Sequence, residues 1–202
     1  MVRFDDLNRR DAVRTLAAGA LGTAAASGWV ESLIALAQSH AHAQVSPPVT
    51  APQNWKPRIL TAPQNDTVVT LTELIIPQTD TPGAKAVGVN RFIDRVLYVA
   101  KPSDRDKFLR GLAWIDERSQ TLFRKGFAAA DASEQATLLT RLADENNKDD
   151  ADRPGVDFFR AIKSMTISGY YTSEIGLRQE LGDDGRLAME EFVGCAHPEH
   201  QG

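Results

Sequence analysis

The sequence predicts an all-α protein, an irregular bundle of about five or six helices preceded by a targeting segment and a proline-rich extended tether. Apolar residues recur three and four positions apart in five segments after residue 66, which is typical of helices. No segment shows the sustained apolar and polar alternation of a half-buried strand. We therefore expect three regions: a signal at 1–43, a tether at 44–66 and a helical domain at 67–202.

The first region carries two adjacent arginines near its N-terminus, Arg9 and Arg10, in the stretch "NRRDAVR". An arginine pair followed by an apolar residue and then a weakly apolar run resembles a twin-arginine export signal. Ala12 holds a position that is usually aromatic in such signals, so the match is incomplete. The pattern still predicts an exported protein.

The apolar run at 17–36 is built largely of alanine and glycine and is interrupted by Glu31. It is too weakly hydrophobic for a comfortable permanent membrane anchor. Ala41 and Ala43 form an A-x-A pattern, which predicts cleavage before Gln44. Two alternatives are an amphipathic N-terminal helix that stays on the protein and an uncleaved anchor.

The second region, 44–66, is rich in proline and shows neither helical nor strand periodicity. This composition predicts an extended tether. Trp55, Ile59 and Leu60 are its candidates for contacts that fix it to a surface.

Five helices are predicted in the third region. The first ends at Pro77, and the second spans the apolar stripe within 89–97. The third covers 103–127, with Ser103 as its N-cap. The fourth begins with a capping box formed by Asp131 or Ser133 and Glu134, and the fifth carries Pro154 in its first turn.

The charge balance gives no reason to expect a polyanionic partner. The net charge is −4, and removal of 1–43 leaves it unchanged because that segment holds four arginines and four acidic residues. We therefore expect no binding to nucleic acid. The chain has a single cysteine, Cys195, which excludes an internal disulfide. In an exported protein such a cysteine is either free or paired with another chain.

Common catalytic and cofactor motifs are missing from the sequence. It contains no G-x-G-x-x-G after a strand, no C-x-x-C-H, no G-x-S-x-G and no H-E-x-x-H. We therefore predict no catalytic, cofactor-binding or metal-binding residue in this chain.

An acidic stretch around residue 150 offers a weak candidate for a calcium loop. Asp150, Asp152 and Gly155 fit three loop positions, but Ala161 stands where a bidentate glutamate is needed. A solvated loop ahead of a helix explains these residues better.

Two further candidates lie near the C-terminus. Cys195, His197 and His200 are spaced closely enough to hold a metal, although a tail or a partner contact is the simpler interpretation. Tyr170 and Tyr171 precede a turn and could form a ligand platform, or pack half-buried at the end of a helix.

Four blocks together are similar to the gluconate 2-dehydrogenase subunit 3 family. They are "LTELIIPQTDTPGAKAVGVNRFIDRVL", "FLRGLAWID", "FFRAIKSMTISGYYTSEIG" and "FVGCAHPEH", in this order along nearly the whole region after the tether. The parts "IPQTDTPGA" and "GYYTSEIG" are the most distinctive.

The resemblance implies a small subunit without a cofactor of its own. Its expected partners are a large FAD-dependent subunit of the glucose-methanol-choline (GMC) type, a multi-haem cytochrome c subunit and the twin-arginine translocase. The complex would oxidise sugars, sugar acids or polyols in the periplasm, on the cytoplasmic membrane. The implied partner contacts are Tyr170, Tyr171, Phe192 and Cys195, the last through an intersubunit disulfide.

Two other classes of protein stay open at this point. One is an export chaperone that leaves its client after translocation. The other is a solitary exported protein that binds a metal or a small ligand.

Overall fold

The computed structural model describes residues 27–42, 55–144, 146–147 and 149–182. This part of the chain contains seven α-helices and no strand, which confirms the all-α class. A 3-10 helix, Phe127–Ala129, and a π-helical segment, Ile175–Glu180, complete it. The α-helices are α1 (Gly28–His42), α2 (Ala62–Ile75), α3 (Ala84–Val87), α4 (Val89–Val99), α5 (Pro102–Phe123), α6 (Ala132–Ala143) and α7 (Arg153–Tyr171).

Helix α2 begins inside the predicted tether. Thr61 is its N-cap, and the Thr61 and Gln64 side chains form a reciprocal capping box. Pro63 lies in the first turn, where its missing N–H costs nothing. The tether prediction is therefore too long at its C-terminal end, because residues 62–66 are helical.

Helix α5 starts and ends earlier than predicted. Its N-cap is Lys101 and not Ser103, since Pro102 occupies the first helical position. The helix ends at Phe123, so the predicted end at residue 127 is wrong. Phe127 instead opens the 3-10 helix, where its side chain is fully buried.

The last two predicted helices are confirmed, as is the chemistry of their starts. At α6, Asp131 accepts a hydrogen bond from the Glu134 N–H, and the Glu134 side chain accepts one from the Asp131 N–H. At α7, Pro154 lies in the first turn. The capping box of α6 and the early proline of α7 are local sequence features, and they predicted where both helices start.

Helix α7 is the central element, because it contacts each of the other six α-helices in the described part of the chain. The core that surrounds it is almost entirely aliphatic and aromatic. Its largest fully buried side chains are Tyr170, Phe108, Phe127, Phe158, Leu33, Leu71, Ile93, Leu97, Leu112, Ile115, Leu138 and Ile162.

Helices α5 and α7 approach closely through two glycines that each face an aromatic ring of the other helix. Gly111 on α5 lies against Phe158, and Gly155 on α7 lies against Trp114. A Cβ atom at Gly111 would stand 2.5 Å from the Phe158 Cβ, which is well inside van der Waals contact. The Phe108 and Phe158 rings extend the contact, with centroids 5.0 Å apart.

Helix α1 packs into the same core, although it lies within the predicted signal region. Val30, Leu33 and Ala37 form one helical stripe, and each is 0% exposed. They pack where α1 contacts α4, α5 and α7. The Ser27 hydroxyl, just ahead of the helix, donates a hydrogen bond to Asp157 on α7.

Among the helices that the structure describes, none is long and apolar enough to cross a membrane.

Candidate functional site

The two most distinctive sequence blocks meet in the fold. The Tyr170 hydroxyl, at the end of α7, donates a hydrogen bond of 2.8 Å to the Pro82 carbonyl oxygen. Nearby, the Thr81 hydroxyl donates a 2.7 Å bond to the Glu180 carboxylate. We call Thr81, Pro82, Tyr170 and Glu180 the Tyr170 junction. It fastens the loop between α2 and α3 to the end of α7.

The other side of this loop is held by Glu73 of α2. Its carboxylate accepts hydrogen bonds from the backbone N–H groups of Gln78, at 3.0 Å, and Lys85, at 2.8 Å. Gly83 faces the same carboxylate, and a Cβ there would lie 2.5 Å from a Glu73 oxygen. The loop is therefore fixed at both ends by groups of this chain.

The predicted partner-contact residues differ in how accessible they are. Tyr170 is fully buried and Tyr171 is half-buried, and their rings meet edge to face with centroids 5.2 Å apart. Of the two, Tyr171 is the one that offers surface to another protein. Phe192 and Cys195 lie outside the described residues.

The predicted targeting residues fall mostly outside the structure as well. Arg9, Arg10 and Ala43 lie beyond the described residues, and Ala41 lies in the last turn of α1. Export and cleavage before Gln44 therefore remain predictions.

A second cluster fixes the chain segment that leads into α2. The buried carboxylate of Asp94 accepts three backbone hydrogen bonds, from Arg58 at 2.8 Å and from Ile59 and Leu60 at 3.0 Å each. Leu60 is itself buried in the core. Ile59 packs against the same core, so both residues contact the helical domain, and Asp94 is the polar anchor of this segment.

Aromatic side chains lie beside this anchor on the surface of α4. The Arg91 guanidinium lies 5.3 Å from the Trp55 ring centroid, and the Arg58 guanidinium lies 5.0 Å from that of Tyr98. Tyr98 is 52% exposed and its neighbour Val99 is 45% exposed.

Tyr98 and Val99 are not among the contact residues predicted from the sequence. The helical periodicity of α4 indicates that these two residues are exposed. The buried stripe of this helix consists of Val89, Phe92, Ile93, Val96 and Leu97. Tyr98 and Val99 fall off this stripe, which is why both are exposed.

The acidic loop ahead of α7 is organised around Asp152. Arg141 donates to its buried carboxylate, Asn147 donates at 3.2 Å, and Arg118 forms an ion pair with it at 3.2 Å. Burial by itself would raise the pKa of Asp152. The hydrogen bonds from Arg141 and Asn147 and the two guanidinium charges outweigh that effect and lower the pKa below its ordinary value.

This arrangement does not suit a calcium ion. The Asp152 carboxylate is already neutralised by two arginines, and Asp150 beside it is exposed. Within the described ranges, no group of three His, Cys, Asp or Glu side chains is placed to hold a metal. The loop is also less solvated than expected, since Asp152 is fully buried.

The three polar clusters centre on Glu73, Asp94 and Asp152, and each fastens one segment of the chain to another. They define an all-helical domain in which two buried carboxylates, Asp94 and Asp152, and the half-buried Glu73 hold segments of the same chain together.

The chain belongs to the gluconate 2-dehydrogenase subunit 3 family, whose model matches residues 62–183. The match begins with the first residue of α2 and ends just after the π-helical segment. It confirms the family resemblance for the first three sequence blocks, whereas the fourth, "FVGCAHPEH", lies beyond the matched residues. No curated protein and no solved structure matches the chain.

Proposed function

We propose that this chain is the non-catalytic small subunit of a periplasmic, membrane-associated, FAD-dependent dehydrogenase complex for a sugar, sugar acid or polyol. The family match over residues 62–183 is the observation that carries the proposal, since the family is named for a subunit of a dehydrogenase. The helical domain supplies a folded body with which a larger subunit can associate.

The chain's proposed role is to export and stabilise its partner. A GMC-type large subunit folds around FAD before export, and the twin-arginine route carries folded proteins. Arg9 and Arg10 would then take both chains across the membrane. The small subunit stays bound afterwards and supports the folding and stability of the flavoprotein.

The chemistry belongs to the partners. FAD in the large subunit would accept hydride from the carbon that bears the substrate hydroxyl, while the hydroxyl loses its proton, and haem c in a cytochrome subunit would receive the electrons. This chain's Glu73, Asp94 and Asp152 bind its own backbone and arginines, so these carboxylates are engaged in structure.

Cys195 is proposed to form a disulfide with a cysteine of the large subunit. The two thiols would lose two protons and pass two electrons, by thiol–disulfide exchange, to an oxidising disulfide protein of the periplasm. Electrophoresis of the purified complex without reductant should show one band at the summed mass. Reductant, or the variant Cys195→Ser, should separate the two chains. Full separation of the wild-type chains without reductant would contradict the disulfide.

The experiment that tests the function is capture of the full chain from its native host through a tag after Gly202. We expect one large companion chain with a flavin absorbance spectrum. Changing Arg9 and Arg10 to lysine should remove both chains from the periplasm, whereas the control Arg14→Lys should not. A colourless protein captured alone would overturn the proposal, and a companion found only before export would favour a dissociating chaperone.

A further inference from the structure

The position of α1 bears on where the export signal ends. Cleavage before Gln44 would remove this helix, yet Val30, Leu33 and Ala37 are buried among α4, α5 and α7. Trp29, Ile34 and Leu36 are partly buried against the same core. Loss of α1 would therefore leave a set of large apolar side chains on three helices without their partner.

The N-terminus of α1 is also held in place, in addition to its buried face. The Ser27 hydroxyl donates to the carboxylate of Asp157, so the residue ahead of the helix is tied to α7. Glu31 lies on the exposed face in the first turn, where a negative charge favours the helix dipole. A helix with one buried and one polar face is typical of a domain component, whereas the core of a signal is apolar throughout.

A second cleavage pattern precedes this helix. Ala24 and Ala26 form an A-x-A pattern directly before Ser27, and residues 15–26 carry no charge. Signal peptides span roughly 15 to 30 residues, with an apolar core of about 7 to 15. Counted from Arg9, a signal that ends at Ala26 fits the usual length of a signal peptide, and its uncharged run at 15–26 fits the usual length of the apolar core. A signal that runs from Arg9 to Ala43 is longer than signal peptides usually are.

We propose that the export signal is cleaved after Ala26, so that the exported subunit begins at Ser27 and keeps α1 as a core helix. The proposal rests on the export function proposed above. Cleavage at this point places a new α-amino group on the residue whose hydroxyl binds Asp157. The retained helix also covers the faces of α4, α5 and α7 that it contacts.

The first test is the N-terminal sequence and intact mass of the full chain recovered from the periplasm of its native host. We expect Ser27 as the first residue. The variant Ala26→Leu should block processing because a bulky residue replaces the small one at the cleavage point, whereas the matched variant Ala43→Leu should be processed normally. An N-terminus at Gln44, or an uncleaved chain, overturns the proposal.

The second test does not depend on export, so its failure can be distinguished from failure of the proposed function. A chain that begins at Ser27 is produced in the cytoplasm with either Ala37→Asp or Ala35→Asp. Both changes place the same residue in α1, but Ala37 is fully buried and Ala35 is exposed. We expect the first to prevent folding or lower Tm sharply and the second to leave Tm nearly unchanged.

A milder variant covers the case in which Ala37→Asp yields no soluble protein. Leu33→Ala, in the same chain, should lower Tm by roughly 5–15 °C, as expected when a buried leucine is truncated in a domain of this size. Equal Tm values for wild type, Leu33→Ala and both aspartate variants would show that α1 is not part of the core. That result would overturn the proposal even if export itself were confirmed.

Discussion

Single buried carboxylates hold the irregular segments of this protein in place. Asp94 is the clearest case, because its two oxygens accept three backbone N–H groups from consecutive residues, Arg58 to Leu60. These three residues lie outside any helix or strand, so their N–H groups have no hydrogen-bond acceptor from regular secondary structure. Since a buried donor that loses its acceptor costs about 1–3 kcal/mol, one side chain fixes the entry to α2.

We predict that Asp94→Asn destabilises the protein by about 1–3 kcal/mol. The asparagine amide can accept from two of the donors, but its NH₂ group would face the third as a donor. Urea unfolding followed by circular dichroism measures the change. Asp106→Asn on α5, where the carboxylate is exposed, is the matched control and should unfold at the wild-type urea concentration. Equal losses in both variants would contradict this role.

Asp152 leads to a prediction about pH. Its pKa is lowered in the folded protein, so its contribution to stability is complete above the ordinary pKa of about 4. The contribution is lost as the pH falls through the lower folded value. We expect wild type to exceed Asp152→Asn in stability at pH 7, and the difference to shrink below about pH 4.

Unfolding free energies measured from pH 7 down to acid test this difference. The control is Asp150→Asn, an exposed carboxylate of the same loop, which should follow wild type throughout. A gap between wild type and Asp152→Asn that does not depend on pH would mean that the ion pairs with Arg118 and Arg141 contribute nothing to stability.

At the scale of helices, the contact between α5 and α7 depends on the missing side chain of Gly111. Alanine in a helix interior is normally favoured over glycine by about 1 kcal/mol. Here the new Cβ would stand 2.5 Å from Phe158, whose ring also packs on Phe108. Overpacking of this kind typically costs about 1–3 kcal/mol, so we predict that Gly111→Ala lowers Tm despite its higher helix propensity.

The control for this substitution is Gly126→Ala, at the start of the 3-10 helix. Its Cβ would lie 3.7 Å from an Asp116 oxygen, an ordinary contact, so Tm should stay close to the wild-type value. Thermal unfolding of the three proteins in parallel measures the effect. A rise in Tm for Gly111→Ala would show that the two helices can move apart without cost.

Periodicity and capping predicted most of the helices, because both signals are local in sequence. The capping box at Asp131 and Pro154 at the start of α7 are examples. Helix α3 has only four residues, too few for a periodic pattern. A retained N-terminal helix was only an alternative to a cleaved signal, because a stripe of Val30, Leu33 and Ala37 in an alanine-rich run is typical of a signal as well as of a core helix.

The candidate site could be predicted only in part, for a related reason. Tyr170 is held by Pro82, which lies 88 residues earlier, and no local pattern shows that such a contact buries the ring. Both tyrosines were predicted to contact a partner, and the first of them serves the Tyr170 junction within the chain. Tyr171 is the member with surface available to a partner.

At the scale of the whole molecule, α7 makes the described part a single packing unit. It contacts every other α-helix there, so no helix can leave without exposing part of the α7 surface. This matters for the proposed export role, since the twin-arginine route carries folded proteins. Under that proposal, a domain that folds as one unit would associate with the large subunit before translocation.

The last prediction is that α1 unfolds together with the rest of the domain. Trp29 reports on α1 because it lies partly buried against the core, and Trp114 reports on α5 from its contact with Gly155. In chains that begin at Ser27, each tryptophan is kept alone and the other two are replaced by phenylalanine. Since α1 shares buried side chains with α4, α5 and α7, the fluorescence of Trp29 should change at the same temperature as far-UV circular dichroism. The chain that keeps only Trp114 is the control, and the midpoint temperatures of its fluorescence and of its circular dichroism should coincide in any case. A midpoint temperature of Trp29 fluorescence well below that of circular dichroism would mean that α1 detaches before the rest of the domain unfolds.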